Sequence, residues 1–361
     1  MRVLIVKRDK LGDLLLTTPV LRHLATARPD AEIHLLANDY NAWVARGHPA
    51  LTRLWTYPRV RDAGRLRPML AFHQVGVTLA LRRQRFDVAL VMGGDESPRG
   101  IVRASLCGAR RIVAYVASSR PRRGVTDPVP VPLQGHETDR MMGLLAPLGV
   151  TPPVAAAFPE YTLPAGADAT AREWLRAAGI DRDRYVVLGL GARRPKKQPS
   201  AEQVLRWSGR WKREHGLDTV FMWTPGPADA RRYPGDDALA APVLAQRAAH
   251  LHPFRGGVHE AIGLIYHART SVLPDSGLMH FAAASPGGVL GLFADPADSA
   301  PAARWAPRGA RAAYVEAPRQ VIELDDAAVF DALAPLLAPP ASAAWPPLRA
   351  APLNACRTDT G

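Results

Sequence analysis

One pattern constrains the fold of this chain more than any other, because it occurs twice. Val3-Leu4-Ile5-Val6 is a short aliphatic run, followed by a loop, Gly12 and an apolar periodic segment over residues 14–27. Tyr185-Val186-Val187-Leu188-Gly189-Leu190-Gly191 restarts the same order of strand and glycine-bearing loop. Unbroken apolar runs of this length read as strands buried on both faces, as in a parallel sheet covered by helices. Between the two copies, residues 151–164 hold four prolines and little periodicity, which reads as a linker.

Each copy continues in kind. Residues 32–37, 86–92 and 111–115 are strand-like in the first half, as are 219–223, 271–274 and 288–293 in the second. Residues 167–178 read as a helix, and Asp325 is placed to cap a last helix over 326–337. Pro19 implies an early-turn position or a kink in the first helix. The proline-punctuated stretch 126–134 cannot be helical. Alternating strands and helices that restart after a linker predict an α/β chain of two doubly wound domains, residues 1–160 and 165–337. Residues 338–361 are rich in Pro and Ala and are expected to be disordered. A length of 361 residues suits two domains.

Charge narrows the partners. The chain carries 46 Lys and Arg against 33 Asp and Glu, a net +13, and residues 1–163 hold 23 basic against only 13 acidic residues. Such a field attracts nucleic acid, an acidic membrane surface or a phosphorylated substrate. Alternatively, the arginines merely accompany a composition that is also rich in Ala and Pro. No nucleic-acid recognition motif or aromatic pattern is present, so nucleic acid is not expected as a partner. Cys107 and Cys356 have neither metal spacing nor a disulfide framework, which suits a reducing compartment. The apolar run at the start is too short for a signal peptide, and no stretch approaches the ~20 apolar residues that span a bilayer. A cytoplasmic protein is expected.

Three motifs can carry chemistry. In Lys7–Pro19 (KRDKLGDLLLTTP) a glycine and a carboxylate follow the first strand, at the edge where open α/β sheets bind ligands. Asp13 could act there as a general base, or could cap the following helix. In Gly191–Pro199 (GARRPKKQP) four cations follow a strand and suit a pyrophosphate, although a solvated loop would look the same. It is neither a P-loop nor a complete dinucleotide fingerprint. In Pro274–Ala284 (PDSGLMHFAAA) Asp275-Ser276-Gly277 opens an Ala-rich helix whose first amides would suit an anion, with His280 about one turn inside; an ordinary capped helix with a buried histidine is the alternative.

Taken together, the motifs resemble the heptosyltransferase-like glycosyltransferases of lipopolysaccharide core assembly, glycosyltransferase family 9. Lys7, Leu11-Gly12-Asp13 and Thr18-Pro19 match the family's opening. Gly191-Ala192 and Lys196 match its second-half loop, with Gln198 where the family has Trp. Asp275, Gly277 and His280 match its Asp-Thr-Gly-x-x-His signature, with Ser276 for Thr. Leu292-Phe293 match a Leu-Phe-Gly loop, with Ala294 for Gly, and residues 256–268 resemble the helix before the signature.

The resemblance implies a GT-B fold, two Rossmann-like domains facing across a cleft, with the acceptor bound by the N-terminal half and the donor by the C-terminal half. It implies inverting transfer of heptose from ADP-heptose to an anionic, lipid-linked inner-core acceptor. No cofactor beyond the nucleotide sugar is expected, and the protein would touch the inner face of the cytoplasmic membrane peripherally. Asp13 matches the catalytic base. Lys196, Gly191, Ala192, Asp275, Ser276, Gly277, Leu278 and His280 would meet the donor, and Asp229 its ribose. Lys7, Arg120, Arg122 and Arg123, and also Arg82, Arg83 and Arg85, would grip the acceptor. The departures at Gln198 and Ala294 leave open another nucleotide sugar, or a capsule or O-antigen acceptor. A catalytically silent protein that binds nucleotide or glycolipid is a further alternative, against which Asp13 argues.

Overall fold

The structure is a computed structural model and describes residues 1–59, 61–62, 65–66, 69–117, 122–192, 194–230, 234–297 and 301–339. These divide after Glu160 into two compact units. The expected tail falls almost wholly outside the described residues.

The first unit is built on β1 (Arg2–Val6), β2 (Glu32–Asn38), β3 (Arg53–Tyr57), β4 (Val88–Val91), β5 (Arg111–Val116) and β6 (Asp127–Pro130). These form one parallel sheet in the order β3-β2-β1-β4-β5-β6. All four residues 3–6 are buried, as the apolar run requires. The segment 14–27 is broken into α1 (Leu11–Leu15) and α2 (Thr18–Ala27), and Pro19 falls at the start of α2, where its missing N–H costs nothing. Then come α3 (Met69–Arg83), α4 (Pro98–Leu106) and α5 (Glu137–Gly143). The stretch that could not be helical becomes the edge strand β6, the one place where Pro128 and Pro130 leave the ladder intact.

The second unit repeats the design. After α6 (Ala165–Ala178) come β7 (Tyr185–Gly189), β8 (Asp218–Met222), β9 (Leu251–Phe254), β10 (Thr270–Pro274), β11 (Val289–Phe293) and β12 (Ala312–Glu316), again parallel and ordered β9-β8-β7-β10-β11-β12. Helices α7 (Ala201–His215), α8 (Asp237–Ala245), α9 (Val258–His267), α10 (Gly277–Ala283), α11 (Ala302–Trp305) and α12 (Asp326–Leu337) complete it. Trp207 and Trp211, one turn apart on α7, are fully buried against the sheet. Ser200 and Gln203 close the start of α7 with reciprocal hydrogen bonds of 3.2 and 2.9 Å. Asp325 stands at the cap position of α12, but its side chain makes no capping bond. The next residue is the one engaged: Asp326 accepts from Arg206 (2.8 Å) and from the Trp207 indole (2.7 Å).

In both sheets the first strand is central, and the strand order reverses beside it. Open α/β sheets gather ligands at such a switch point, beyond the carboxyl ends of the strands. In the first unit that point lies between β1 and β4, and in the second between β7 and β10.

Candidate active site

Beyond β1 the chain turns through residues 7–10. Two asparagines fasten this loop: Asn38 Nδ2 donates to the Arg8 carbonyl (2.8 Å) and Asn41 Nδ2 to the Asp9 carbonyl (2.9 Å). Lys7 is fully buried, with Nζ 3.0 Å from Asp9 Oδ2 and 3.8 Å from Met141 Sδ on α5. Burial opposes its charge, but the carboxylates of Asp9, Asp13 and Glu137 outweigh that, and the Lys7 pKa is raised. Lys7 therefore lies beneath the loop as a buried counter-charge, unlike the exposed arginines named with it as acceptor candidates.

Asp13 is the third residue of α1 and half-buried. Its Oδ2 accepts from the Lys10 backbone N–H at 3.1 Å. The capping alternative is thus met in modified form. Lys10, not Asp13, occupies the cap position, and Asp13 reaches back to it from the first turn. One carboxylate oxygen is engaged in this way, and Oδ1 accepts no hydrogen bond among the described residues.

Across the switch point the loop after β4 is held from α5. Gly94 N–H donates to Glu137 Oε1 (2.8 Å), Arg140 Nε donates to the Gly94 carbonyl (2.9 Å), and Arg140 Nη2 to Asp95 Oδ1 (2.8 Å). Both Glu137 and Arg140 are buried. The sequence reading named Lys7 and Asp13 here but missed Asp9, Glu137 and Arg140. A signal was present: Glu137 and Arg140 are three residues apart and abut Met141-Met142, so charges and apolar side chains share one helix face.

The other acceptor candidates are scattered over the first unit. Arg122 is ion-paired with Glu96, whose pKa is lowered first by the Ala117 N–H and then by Arg122. Arg123 is exposed, and Arg120 lies outside the described residues. Arg82 and Arg83 end α3 and Arg85 follows it, all exposed; Arg82 Nη1 donates to the Leu106 carbonyl (3.3 Å).

In the second unit, the loop after β7 and the loop after β10 meet. Lys197, in the short turn Pro195–Lys197, forms an ion pair with Asp275, and both side chains are only 12% exposed. The sequence reading counted Lys197 among the four cations of this loop but gave the donor role to its neighbour Lys196. Lys196 is half-buried in the same turn, and Gly191 and Ala192 are half-buried before it. Gln198 is buried. Its Nε2 donates to the carbonyls of Leu190 (2.9 Å) and Ala192 (3.2 Å) and to Asp236 Oδ1 (2.6 Å). Burial raises the Asp236 pKa, against the pull of Gln198 and Thr224.

Asp275 and Ser276 lead into α10, with Gly277 exposed and Leu278 half-buried in its first turn; His280 follows, buried. Asp229 is exposed on the loop after β8. The carboxylates that shape that loop are Asp236 and Asp237. Asp236 Oδ2 accepts from the Thr224 N–H (3.0 Å), and Asp237 accepts from the Trp223 indole (2.8 Å) and the Gly226 N–H (3.0 Å). Gly226 has φ +118°, and a Cβ on Gly235 would overlap the Gly226 backbone, so both glycines are required for the loop to close. Among the described residues no three His, Cys, Asp or Glu side chains are grouped to hold a metal ion, and no helix is long and apolar enough to cross a membrane.

The fold and these loops can be set against known proteins. A glycosyltransferase family 9 structure from Veillonella parvula DSM 2008 superposes with a TM-score of 0.77 at 18% identity, covering 93% of this chain and 97% of that one. The E. coli heptosyltransferase WaaC with ADP gives 0.69 at 19% identity over 93% and 100% of the two chains. The E. coli ADP-heptose lps heptosyltransferase II gives 0.70 at 17% over 93% and 98%. These likenesses show the GT-B type of fold. A search of curated proteins finds no match. Glycosyltransferase family 9 (heptosyltransferase) matches residues 77–323, which takes in the loops of the second unit and begins after the Asp13 loop. Since that match spans more than half of the chain, the chain belongs to glycosyltransferase family 9 and is a glycosyltransferase.

Proposed function

We propose that this glycosyltransferase moves a heptose from ADP-heptose, with inversion, to an anionic, lipid-linked acceptor of the lipopolysaccharide inner core on the cytoplasmic side of the membrane. The observation that carries the reading is that each unit sets its motif at its own switch point: Asp13 and buried Lys7 beside β1, the Lys197–Asp275 pair between β7 and β10. The first unit binds the acceptor and the second the donor. The acceptor hydroxyl oxygen attacks the anomeric carbon and gives its proton to Asp13 Oδ1, while the bond from that carbon to the diphosphate breaks. Lys196 and the amides at Ser276–Leu278 carry the charge of the departing ADP, with His280 beside them. Gly191 and Ala192 line the path of the phosphates, and Asp229 meets the ribose. Lys7 lies beneath the loop as a buried positive charge, 3.0 Å from Asp9. Arg122 and Arg123 meet the acceptor's acidic groups.

Gln198 supports a second reading on the same fold. A buried amide bonded to Asp236 replaces a Trp of the family, which alters the ground under the donor loop and favours a different nucleotide sugar. Calorimetry with ADP, UDP, GDP and ADP-heptose separates the two. ADP and ADP-heptose are expected to bind best, at least tenfold more weakly in Lys196→Ala. A preference for UDP or GDP would discard the heptose donor and keep the mechanism; binding of none would leave a silent relative.

A further inference from the structure

Helix α3 of the first unit has a sequence that belongs inside a protein, MLAFHQVGVTLALRR, yet Leu81 is its only buried side chain. Its Val77 and Ala80 lean on the core, while Phe72 is 74% exposed and Val75 and Leu79 are at least half exposed. Beside it α4 shows Val102, 60% exposed, and Leu106. The two helices form the walls of an open groove of about 820 Å³. They are tied across it by Arg103 Nη2, which donates to Gln74 Oε1 (3.2 Å), and by the Arg82–Leu106 carbonyl bond. Arg8, Arg82, Arg99 and Arg103 line the groove, and no carboxylate does so among the described residues. Neither helix contains an acidic residue.

From this arrangement we infer that the α3–α4 face is a docking surface for an anionic phospholipid bilayer. An exposed apolar stripe bordered by arginines is the composition that lies in a membrane interface, with aliphatic and aromatic side chains among the acyl chains and guanidinium groups at the lipid phosphates. Exposed apolar area of this kind needs a cover. A second copy of the chain is a poor one, because a twofold contact would set the same arginines against each other with no carboxylate between them. Arg8 belongs both to the groove and to the loop carrying Lys7 and Asp9, so docking brings the β1 edge to the polar layer of the membrane. The inference rests on the proposed action at the membrane and names the face that meets it, and it can fail separately from the donor and acceptor assignments, since vesicle binding needs neither.

Flotation of the full chain with vesicles of phosphatidylcholine, alone or mixed with phosphatidylglycerol, tests it at low and high salt. Binding is expected for the mixed vesicles, weakened by salt and absent for phosphatidylcholine alone. Phe72→Asp with Val102→Asp should lower it at least tenfold, and Arg99→Ala about fivefold. Phe72→Leu, which keeps the surface apolar, should bind as the parent does. ADP affinity and thermal melting of each variant guard against misfolding. The inference is overturned if the double variant binds vesicles undiminished, or if neutral and anionic vesicles bind alike. It is also overturned if the same substitutions abolish a dimer that forms without lipid, or if monomeric dodecyl phosphate binds the groove while vesicles do not bind.

Discussion

Replacing Asp13 by Asn and by Ala separates the two roles its position allows. The carboxylate reaches back to the Lys10 N–H at 3.1 Å, so it serves the first turn of α1 whether or not it takes a proton. Asn keeps a carbonyl oxygen for that N–H and loses only the basicity. Lys7 keeps Asp9 at 3.0 Å and Glu137 nearby, so the buried ammonium is not orphaned. The expected stability change for Asp13→Asn is below about 1 kcal/mol. Loss of a general base slows transfer ~10²–10⁴-fold, or about 3–5.5 kcal/mol of barrier. Asp13→Ala removes both functions. It should be as inactive as Asn and less stable by a further ~0.5–2 kcal/mol. The assay is the transfer rate at saturating donor and acceptor, with whichever donor calorimetry selects, beside urea unfolding and ADP affinity. If Asp13→Asn kept its rate within tenfold of the parent, Asp13 would be a helix-closing residue and the base would have to be sought elsewhere.

Further outcomes follow from particular contacts. His34 is buried, its Nδ1 accepts from the Trp55 indole at 3.0 Å, and burial pushes its pKa down from 6.5 to about 4. The neutral ring therefore contributes stability that is complete above pH 6.5 and is lost as pH falls towards 4, about 3 kcal/mol for this one group. Urea unfolding at pH 7.5 and 4.5 should show the loss in the parent and a shallower one in His34→Gln. Lys197→Met leaves Asp275 nearly buried without its cation and should cost about 3 kcal/mol, read as a lower unfolding midpoint. Gln203→Ala removes both the reciprocal bond at the start of α7 and a donor to the Val321 carbonyl (3.1 Å); a loss of about 1–3 kcal/mol is expected in the same assay.

The central strands were legible because burial on both faces demands an unbroken apolar run, and 3–6, 88–91 and 185–189 supply it. The edge strands were not. Arg53–Tyr57 mixes Arg and Thr with its apolar residues, and Leu251–Phe254 contains a proline, since an edge needs neither two dry faces nor every N–H. The site followed the same division. Glycines and charges directly after a central strand announce a ligand edge, so Asp13, Lys196 and Asp275 could be named as candidates from sequence. Glu137 and Arg140 could not, and neither could the pairing of Lys197 with Asp275, because each acts through a partner distant in the chain, and pairing of that kind exists only once the sheet has brought the loops together.

Net charge was the least specific of the signals, and its location explains why. Several arginines of residues 1–163 are paired locally: Arg2 with Glu32, Arg59 with Asp39, Arg111 with Asp127, Arg122 with Glu96 and Arg140 with Asp95. A count over the sequence weighs these pairs equally with the arginines of the α3–α4 groove, which face no carboxylate in its lining among the described residues. At physiological salt, charges separated by more than about 8 Å are largely screened, so it is the unpaired local group and not the total that a partner meets. That group stands beside exposed Phe72 and Val102, two side chains with no use for a soluble phosphate. The same excess of charge is therefore better matched to an anionic surface with an apolar interior than to a free sugar phosphate.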